Sequence, residues 1–217
     1  MIHRLSREDR ENLPGIEQGL IKLITKIDNF FGNPSEMGPD GPMHWYRSLT
    51  GRDTSYQHLG AWYDIFYAEQ GGEPIGLMSV MMKVPDQTLA QYAKRENPVM
   101  FDAADPRVVY VSTFYVAKEH MRKGIGKNLE ESMAHAMLGI GKESAFLKTM
   151  TTGAEEHEPM RDLPGIHYYQ KSGWQEVGSL LHDPDRVRAD WWPCMSEERR
   201  AIRPGTIWYM KGLARQP

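Results

Sequence analysis

The stretch VVYVSTFYVAKEHMRKGIGKNLEESMAHAM, residues 108–137, decides the fold. Its first nine residues are rich in β-branched and aromatic side chains and are apolar on both faces, which is typical of a strand inside a sheet covered on both sides. A basic turn with two glycines follows. After it, apolar residues recur at helical spacing, at Leu129, Met133, Ala136, Met137 and Ile140. The stretch therefore predicts a strand, a glycine turn and a helix in direct succession.

The turn between that strand and that helix is suited to binding an anion. Gly124 and Gly126 let the backbone bend tightly and approach a ligand without interference from side chains. Where such a turn opens a helix, free N–H groups and the helix dipole point at one spot and favour negative charge. Arg122, Lys123 and Lys127 add positive charge at its rim. We therefore expect this turn to bind a diphosphate.

The letters GIGK occur twice, at 124–127 and at 139–142. The second copy ends a predicted helix, where glycine is an ordinary C-terminal residue, so we expect only the first copy to bind an anion. Two other nucleotide-binding loops fail on spacing. The dinucleotide fingerprint needs a third glycine where this chain has Leu129, and neither copy has the four-residue spacing of the ATP- and GTP-binding loop.

The rest of the chain alternates between strand and helix signals. Gly71 and Gly72 separate the strand candidates 61–69 and 75–84, which predicts a β-hairpin. The other predicted strands are 2–5, 145–150, 174–181 and 206–213, and the other predicted helices are 14–32, 43–49 and 167–172. The polar stretches 32–42, 85–106, 151–164 and 182–204 are predicted to be loops or insertions. We expect one domain over residues 1–217, with insertions near 85–106 and 182–204.

Composition restricts the class of protein. The 217 residues carry 26 basic and 29 acidic side chains, a net charge of −3, which gives no reason to expect nucleic-acid binding. No stretch is apolar enough for a membrane-spanning helix, and the charged N-terminus does not resemble a signal peptide. The lone Cys194 and the scattered histidines favour neither disulfides nor a metal site. We therefore expect a cytoplasmic protein without a membrane partner, a nucleic-acid partner or a metal.

A second motif, YYQKSGW at 168–174, gives the glycine turn a context. Together the two motifs resemble those of the GNAT superfamily of acetyl-CoA-dependent N-acetyltransferases. In that family a strand, a Gln/Arg-x-x-Gly-x-Gly/Ala turn, a helix, another strand and an aromatic-Tyr-Glu-Lys-x-Gly-Phe segment follow one another. The resemblance is tightest over residues 108–178, and WYMKGL at 208–213 looks like the family's last strand. Met121 stands where the family has Gln or Arg, and the family's Asn before the tyrosine helix is missing.

The resemblance implies an α/β (α+β) protein with a mixed, mainly antiparallel sheet and helices on both faces. It also implies that the sheet splays between the strand at 108–116 and the strand at 145–150, the family's β4 and β5. By position, the backbone of Phe114, Tyr115 and Val116 would pair with the pantetheine arm of acetyl-CoA. The pyrophosphate would bind to the turn residues Arg122, Lys123, Gly124, Ile125, Gly126 and Lys127.

The resemblance also places Tyr169 near the thioester sulfur. Acyl transfer to an amine expels a thiolate whose conjugate acid has a pKa of about 8.5, and a phenol with a pKa of about 10 can donate a proton as the thiolate forms. Tyr169 is therefore the predicted general acid, while Tyr168 is interpreted as a core aromatic residue. The amine must lose a proton, and the acidic run EEHE at 155–158 supplies candidate bases, of which we name Glu155 and Glu156 as catalytic candidates.

These features predict an acyltransferase that moves an acetyl group from acetyl-CoA to a primary amine by direct attack. The acidic run beside the reaction centre favours a small cationic amine as acceptor. Two alternatives stay open: a protein acetyltransferase that acts on an N-terminus or a lysine, and a CoA-binding sensor module without turnover. The sequence also leaves a homodimer open.

Overall fold

A seven-stranded β-sheet organises the part of the chain that this computed structural model describes, which is residues 1–5, 14–25, 63–81, 105–151, 154–155, 158–159, 164–181 and 205–213. The strands of those residues are, in chain order, β1 (Ile2–Leu5), β2 (Tyr63–Gln70), β3 (Glu73–Met81), β4 (Val108–Val116), β5 (Ser144–Thr151), β6 (Ala154–Glu155), β7 (Glu158–Pro159), β8 (Gln175–Leu181) and β9 (Gly205–Gly212). The helices are α1 (Pro14–Thr25), α2 (Ile125–Gly139) and α3 (Pro164–Lys171), with a 3-10 turn at Lys118–His120. The order in the large sheet is β1-β2-β3-β4-β5-β9-β8, and β6 and β7 form a two-stranded sheet of their own.

The large sheet is mixed and mainly antiparallel, as predicted. Every neighbouring pair of its strands is antiparallel except β4 and β5, which run parallel. The strand β4 has the bounds expected from the sequence and lies fourth of seven, and its first half, Val108–Val111, is buried. A run of valines with an aromatic residue fits this central position because both faces of the strand are covered.

The sheet splays between β4 and β5. These two strands pair over only four residues, from Val108 opposite Ser144 to Val111 opposite Leu147. A β-bulge follows at once, because Ser79 of β3 faces Thr113 while the next residue, Val80, faces Val111 and leaves Ser112 unmatched. Bulges bend the strand that carries them. From this point β4 continues along β3 while β5 continues along β9, which confirms the predicted gap.

Helices cover both faces of the sheet, as predicted. On one face α2 and α3 pack on the larger core, to which they contribute Leu129, Met133, Met137, Ile166 and Tyr169. On the other face α1 contributes Leu20 and Leu23 to a second core over β1, β2 and β3. In β3 the side chains alternate between the two cores, with Leu77 on one face and Met78 on the other, as a strand with period two requires.

The predicted hairpin turn is confirmed, whereas one helix begins earlier than predicted. Gly71 and Gly72 connect β2 and β3 with φ values of +62° and +85°, which suits the tight turn of a hairpin. Helix α3 begins three residues before the predicted start, at Pro164, since proline is well suited to the first helical position. The polar segment after β5 was predicted to be a loop but also contains the short hairpin of β6 and β7.

Several sequence predictions lie outside the described residues. They concern the end of the helix predicted to reach residue 32, the loop 32–42, the helix 43–49, nearly all of the insertion 85–106 and the insertion 182–204. Within the described part of the chain, no helix is both long enough and apolar enough to cross a membrane.

Candidate active site

Main-chain groups of β4 line one side of the gap. The amide of Ala117 donates a hydrogen bond of 2.9 Å to the carbonyl oxygen of Ile75 on β3. This bond identifies which residues of β4 direct their main-chain groups at β3 and which direct them away from it. In an antiparallel pair, every second residue directs both its N–H and its C=O at the same neighbouring strand. Tyr115 therefore directs its main-chain groups at β3, whereas Phe114 and Val116 direct theirs into the gap. An extended amide-bearing molecule in the gap could pair with β4 as an added strand does.

The glycine turn sits just beyond the end of β4 and opens α2. Gly124 has a φ of +79° and Arg122 has a φ of +61°, both in the left-handed region. The amide of Asn128 makes the first helical hydrogen bond, of 3.0 Å, to the carbonyl oxygen of Gly124. Among the described residues, no amide from 122 to 127 donates to a backbone carbonyl.

The electrostatics of this turn favour an anion. The first turn of α2 contains no acidic side chain, and Arg122, Lys123 and Lys127 are all exposed. Lys127 forms an ion pair of 3.5 Å with Glu131, which lies one helical turn further on. Free amides, the helix dipole and mobile cations therefore meet at one spot.

The second GIGK copy closes α2 instead of opening a helix, as predicted. The amide of Gly141 donates to the carbonyl of Leu138 at 3.1 Å, and that of Lys142 donates to the carbonyl of Met137 at 3.0 Å. With Gly141 at a φ of +82°, these are the two hydrogen bonds of a Schellman motif. The amides of this copy are used inside the protein and are not available to an anion.

Gly126 also has a steric role in packing the first turn of α2. A Cβ added there would lie 3.3 Å from Cζ of Phe114 and 3.4 Å from Cε2 of Tyr168. The rings of Phe114 and Tyr168 meet edge to face, with centroids 5.3 Å apart. The first turn of α2 can therefore lie directly on these two rings because residue 126 has no side chain.

Tyr169 lies in the core directly beside the gap. Its side chain is 9% exposed, and its ring centroid lies 6.4 Å from that of Phe114 and 5.2 Å from that of Tyr209. Burial raises the pKa of its hydroxyl above the ordinary value, and the nearby Tyr209 and Glu130 raise it further. Tyr169 is therefore an uncharged phenol at neutral pH that can donate a hydrogen bond or a proton.

Tyr168 was interpreted as a core aromatic residue, and the structure gives it a polar partner as well. Its hydroxyl donates a hydrogen bond of 2.8 Å to Oε2 of Glu130 on α2. Burial and the Glu130 carboxylate raise the pKa of Tyr168, so its hydroxyl keeps its proton and remains a donor. Glu130 is itself buried, at 6% exposure, and also accepts hydrogen bonds from Nε1 of Trp174 and from Nζ of Lys211.

The position of Glu130 on α2 is a signal that the sequence itself contains. Glu130 lies three residues before Met133 and seven before Met137, on the same buried stripe of α2. A charged residue on an apolar stripe requires a partner of opposite charge, which Lys211 supplies from the penultimate position of β9. In contrast, Ile140, which was assigned to that stripe, is 51% exposed beyond the end of the helix.

The acidic run lies next to the end of β5. Glu155 and Glu158 are cross-strand partners in the hairpin of β6 and β7. Glu156 and His157, which connect these strands, lie outside the described residues. Among the residues that are described, no three His, Cys, Asp or Glu side chains form a group that could hold a metal ion.

Comparison with known proteins gives a family and a fold. A family model described as the acetyltransferase (GNAT) family matches residues 28–174, which is more than half of the chain. No curated protein sequence matches.

Many solved structures match this chain, among them three acetyltransferases that align with nearly all of it. An aminoglycoside 6′-N-acetyltransferase complexed with coenzyme A has a TM-score of 0.58 and 16% identity, and the match covers 100% of this chain and 99% of that one. The aminoglycoside 6′-N-acetyltransferase from Enterococcus faecium has a TM-score of 0.57 and 15% identity, with coverage of 100% and 99%. The ribosomal-protein-S18-alanine N-acetyltransferase from Escherichia coli has a TM-score of 0.55 and 12% identity, with coverage of 100% and 97%. At such low identity the likeness concerns the fold alone.

Proposed function

Since this chain belongs to the GNAT family of acetyltransferases and is therefore an acyltransferase, we propose that it transfers an acetyl group from acetyl-CoA to a small cationic amine by direct attack. One observation carries the proposal: the gap between β4 and β5 opens directly beside a turn whose amides donate to no backbone carbonyl within the described part of the chain. A molecule that joins an amide-bearing arm to a diphosphate matches both features at once.

In this proposal the pantetheine arm of acetyl-CoA lies in the gap between β4 and β5, and its pyrophosphate lies at the glycine turn. The pantetheine arm pairs with the main chain of Phe114 and Val116, whose N–H and C=O groups face the gap. The third residue expected to pair with it, Tyr115, directs its main-chain groups at β3 instead and is not part of this proposal. The pyrophosphate accepts hydrogen bonds from the amides between Arg122 and Lys127, assisted by the exposed side chains of the turn. The acetyl end then lies at the inner end of the gap, close to the bulge at Ser112 and to Tyr169.

The chemical step needs two proton transfers. The amine nitrogen forms a bond to the acetyl carbon, the bond between carbon and sulfur breaks, and the thiolate that leaves takes up a proton. Tyr169 stabilises the leaving thiolate by a hydrogen bond and passes its proton to it as the bond between carbon and sulfur breaks. Its raised pKa keeps the hydroxyl protonated until that point, and it also makes the hydroxyl a weaker acid than a free phenol. The amine gives up its proton to a base, for which Glu155 and Glu156 are our candidates.

The acceptor side is argued from charge. Two acidic residues, Glu155 and Glu158, share one rung of the hairpin that follows β5, and a third lies between them in the sequence. Negative charge close to a reaction centre raises the local concentration of a cationic amine. We therefore propose a small cationic acceptor in preference to a protein.

The test is a measurement of thiol release from acetyl-CoA by the purified protein in the presence of a pooled amine library that includes peptides. We expect turnover with cationic small amines. The Tyr169→Phe variant keeps the ring but not the hydroxyl, so its kcat should fall by about a hundredfold while its affinity for coenzyme A stays the same. Changing Glu155, Glu156 and Glu158 to Gln together should raise KM for the amine and leave KM for acetyl-CoA unchanged. It should also lower kcat, because Glu155 and Glu156 are the candidate bases.

Other outcomes identify the alternatives. Turnover with peptides but with no small amine would favour a protein acetyltransferase. Tight binding of coenzyme A without turnover on any amine would favour a sensor module. An unchanged KM for the amine in the triple Gln variant would refute the role given to the acidic run.

A further inference from the structure

We propose that Glu130 is a positioning residue for acyl transfer: it fixes the helix that carries Tyr169 to the helix that begins at the anion-binding turn. This inference rests on the proposed function, because it concerns where Tyr169 stands relative to the bound thioester. Glu130 belongs to a hydrogen-bonded network with Tyr168, Trp174 and Lys211. None of these four residues is predicted to contact the substrates, and the proposal gives them a role in the reaction.

Tyr168 of α3 lies along α2. Its ring packs on Gly126, and its hydroxyl reaches the carboxylate of Glu130 at 2.8 Å. Residues 126 and 130 are four apart and therefore lie one above the other on the same face of the helix. One side chain of α3 thus contacts two successive turns of α2, which restricts both the distance between these helices and their rotation.

The carboxylate of Glu130 binds α3 on both sides of Tyr169. Tyr168 donates to it immediately before Tyr169, and Nε1 of Trp174 donates to it at 3.1 Å from just after the helix. The ammonium of Lys211 also donates to Glu130, and it donates to the carbonyl oxygen of Ser172 at the end of α3. The backbone on either side of Tyr169 is therefore connected to α2 and to β9 through one buried carboxylate.

Stability alone gives no reason for a carboxylate at this buried position. Glu130 is 6% exposed on a stripe otherwise made of Leu and Met. Replacing a buried ion pair by well-packed apolar residues is often neutral or stabilising. What directional hydrogen bonds supply in addition is a defined geometry, and displacement of a catalytic group by about 1 Å can reduce a rate by about a hundredfold.

The test is a double-mutant cycle on kcat with Tyr168→Phe and Tyr169→Phe. Phe at 168 keeps the ring on Gly126, so the glycine turn is undisturbed and only the donor to Glu130 is lost. We expect Tyr168→Phe to lower kcat about tenfold and to change KM for acetyl-CoA less than twofold. In the Tyr169→Phe background the same change should lower kcat less than twofold, because there is no phenol left to position.

Trp174→Phe provides a second variant, since it removes the Nε1 donor and keeps an aromatic ring. It should show the same dependence on the residue at 169, and it keeps the test decisive if Tyr168→Phe does not fold. Equal losses of kcat in both backgrounds, or a lower unfolding temperature with an unchanged kcat, would overturn the inference and leave only a structural role. If the wild-type protein shows no turnover at all, the proposed function fails first and the positioning role fails with it.

Discussion

The hydroxyl of Tyr168 donates to Oε2 of Glu130 across 2.8 Å while the ring of the same residue lies on Gly126, one helical turn earlier. The glycine turn and the tyrosine helix are therefore not two separate motifs that happen to occur in one order. They are parts of one contact, in which the missing side chain at 126 makes room for a ring and the charge at 130 binds its hydroxyl. This contact holds the first turn of α2 against the helix that carries Tyr169.

The two glycine turns allow a controlled test of anion binding. Gly124 and Gly141 have nearly the same left-handed φ, +79° and +82°, and a Cβ would meet nothing within 4 Å at either position. Alanine should therefore cost a similar amount of stability at both, about 1–2 kcal/mol. Only Gly124→Ala should also raise KM for acetyl-CoA, by about tenfold, since only this turn has amides free for a phosphate. The measurements are urea unfolding and steady-state kinetics.

Gly141→Ala is the control in that experiment. If both variants raise KM equally, the effect comes from loss of stability in α2, and the assignment of residues 122–127 to the pyrophosphate is wrong.

The pair Lys211 and Glu130 should matter more for stability than an ion pair on the surface. Lys211→Met leaves the buried carboxylate of Glu130 without its charged partner, which should lower the free energy of unfolding by about 3–5 kcal/mol. Lys127→Met breaks the exposed pair with Glu131 on the same helix and should cost less than about 0.5 kcal/mol. Unfolding in urea measures both. Equal losses would mean that the Lys211 pair is as well solvated as the surface pair.

The central strand and its glycine turn could be predicted from sequence because both are determined locally. A run such as VVYVSTFYV has few alternatives to a buried strand, and the predicted bounds of β4 are the observed ones. The different positions of the two GIGK copies, one at the start of α2 and one at its end, could also be predicted from their immediate neighbours, a strand before the first and a helix before the second.

The contacts of Glu130 could not be predicted in the same way because they join residues far apart in the chain. Lys211 is 81 positions from Glu130, and Trp174 is 44 positions away. The apolar stripe of α2 shows that position 130 is an unusual place for a carboxylate. Which residue pairs with Glu130, however, depends on the register of β9, which carries Lys211. The bulge at Ser112, which shifts the side-chain alternation of β4 and ends its pairing with β5, leaves no recognisable pattern in the sequence either.

The raised pKa of Tyr169 predicts how the protein behaves at alkaline pH. A free phenol loses its proton at about pH 10, whereas burial holds the proton on Tyr169 in the folded state to higher pH. The unfolded state therefore releases this proton first, so this contribution to stability is complete below about pH 10 and declines above it. When the folded proteins are titrated to about pH 10.5, wild type and Tyr169→Phe should show the same phenolate absorbance, because Tyr169 keeps its proton there.

Denaturation provides the control for that titration. In strong denaturant the wild type should show one more titrating tyrosine than the variant at the same pH. A difference of a full phenolate in the folded state would mean that Tyr169 is solvated and has an ordinary pKa.

Arg122 allows the charge of the turn to be separated from its shape. It is the non-glycine residue with a positive φ among the described residues, at +61°, a conformation that costs side chains other than glycine about 1 kcal/mol. Arg122→Gly should therefore be more stable than Arg122→Ala by about that amount, although both lose the guanidinium. If the guanidinium binds phosphate, both variants should raise KM for acetyl-CoA by a similar factor of about two to five, the effect of one exposed charge. A rise in KM confined to Arg122→Gly would instead assign the effect to the backbone of the turn, because only that variant changes the conformational freedom at 122, whereas alanine, like arginine, keeps a Cβ there. Titration with coenzyme A at two salt concentrations separates these readings, since only a lost charge reduces the salt dependence of binding.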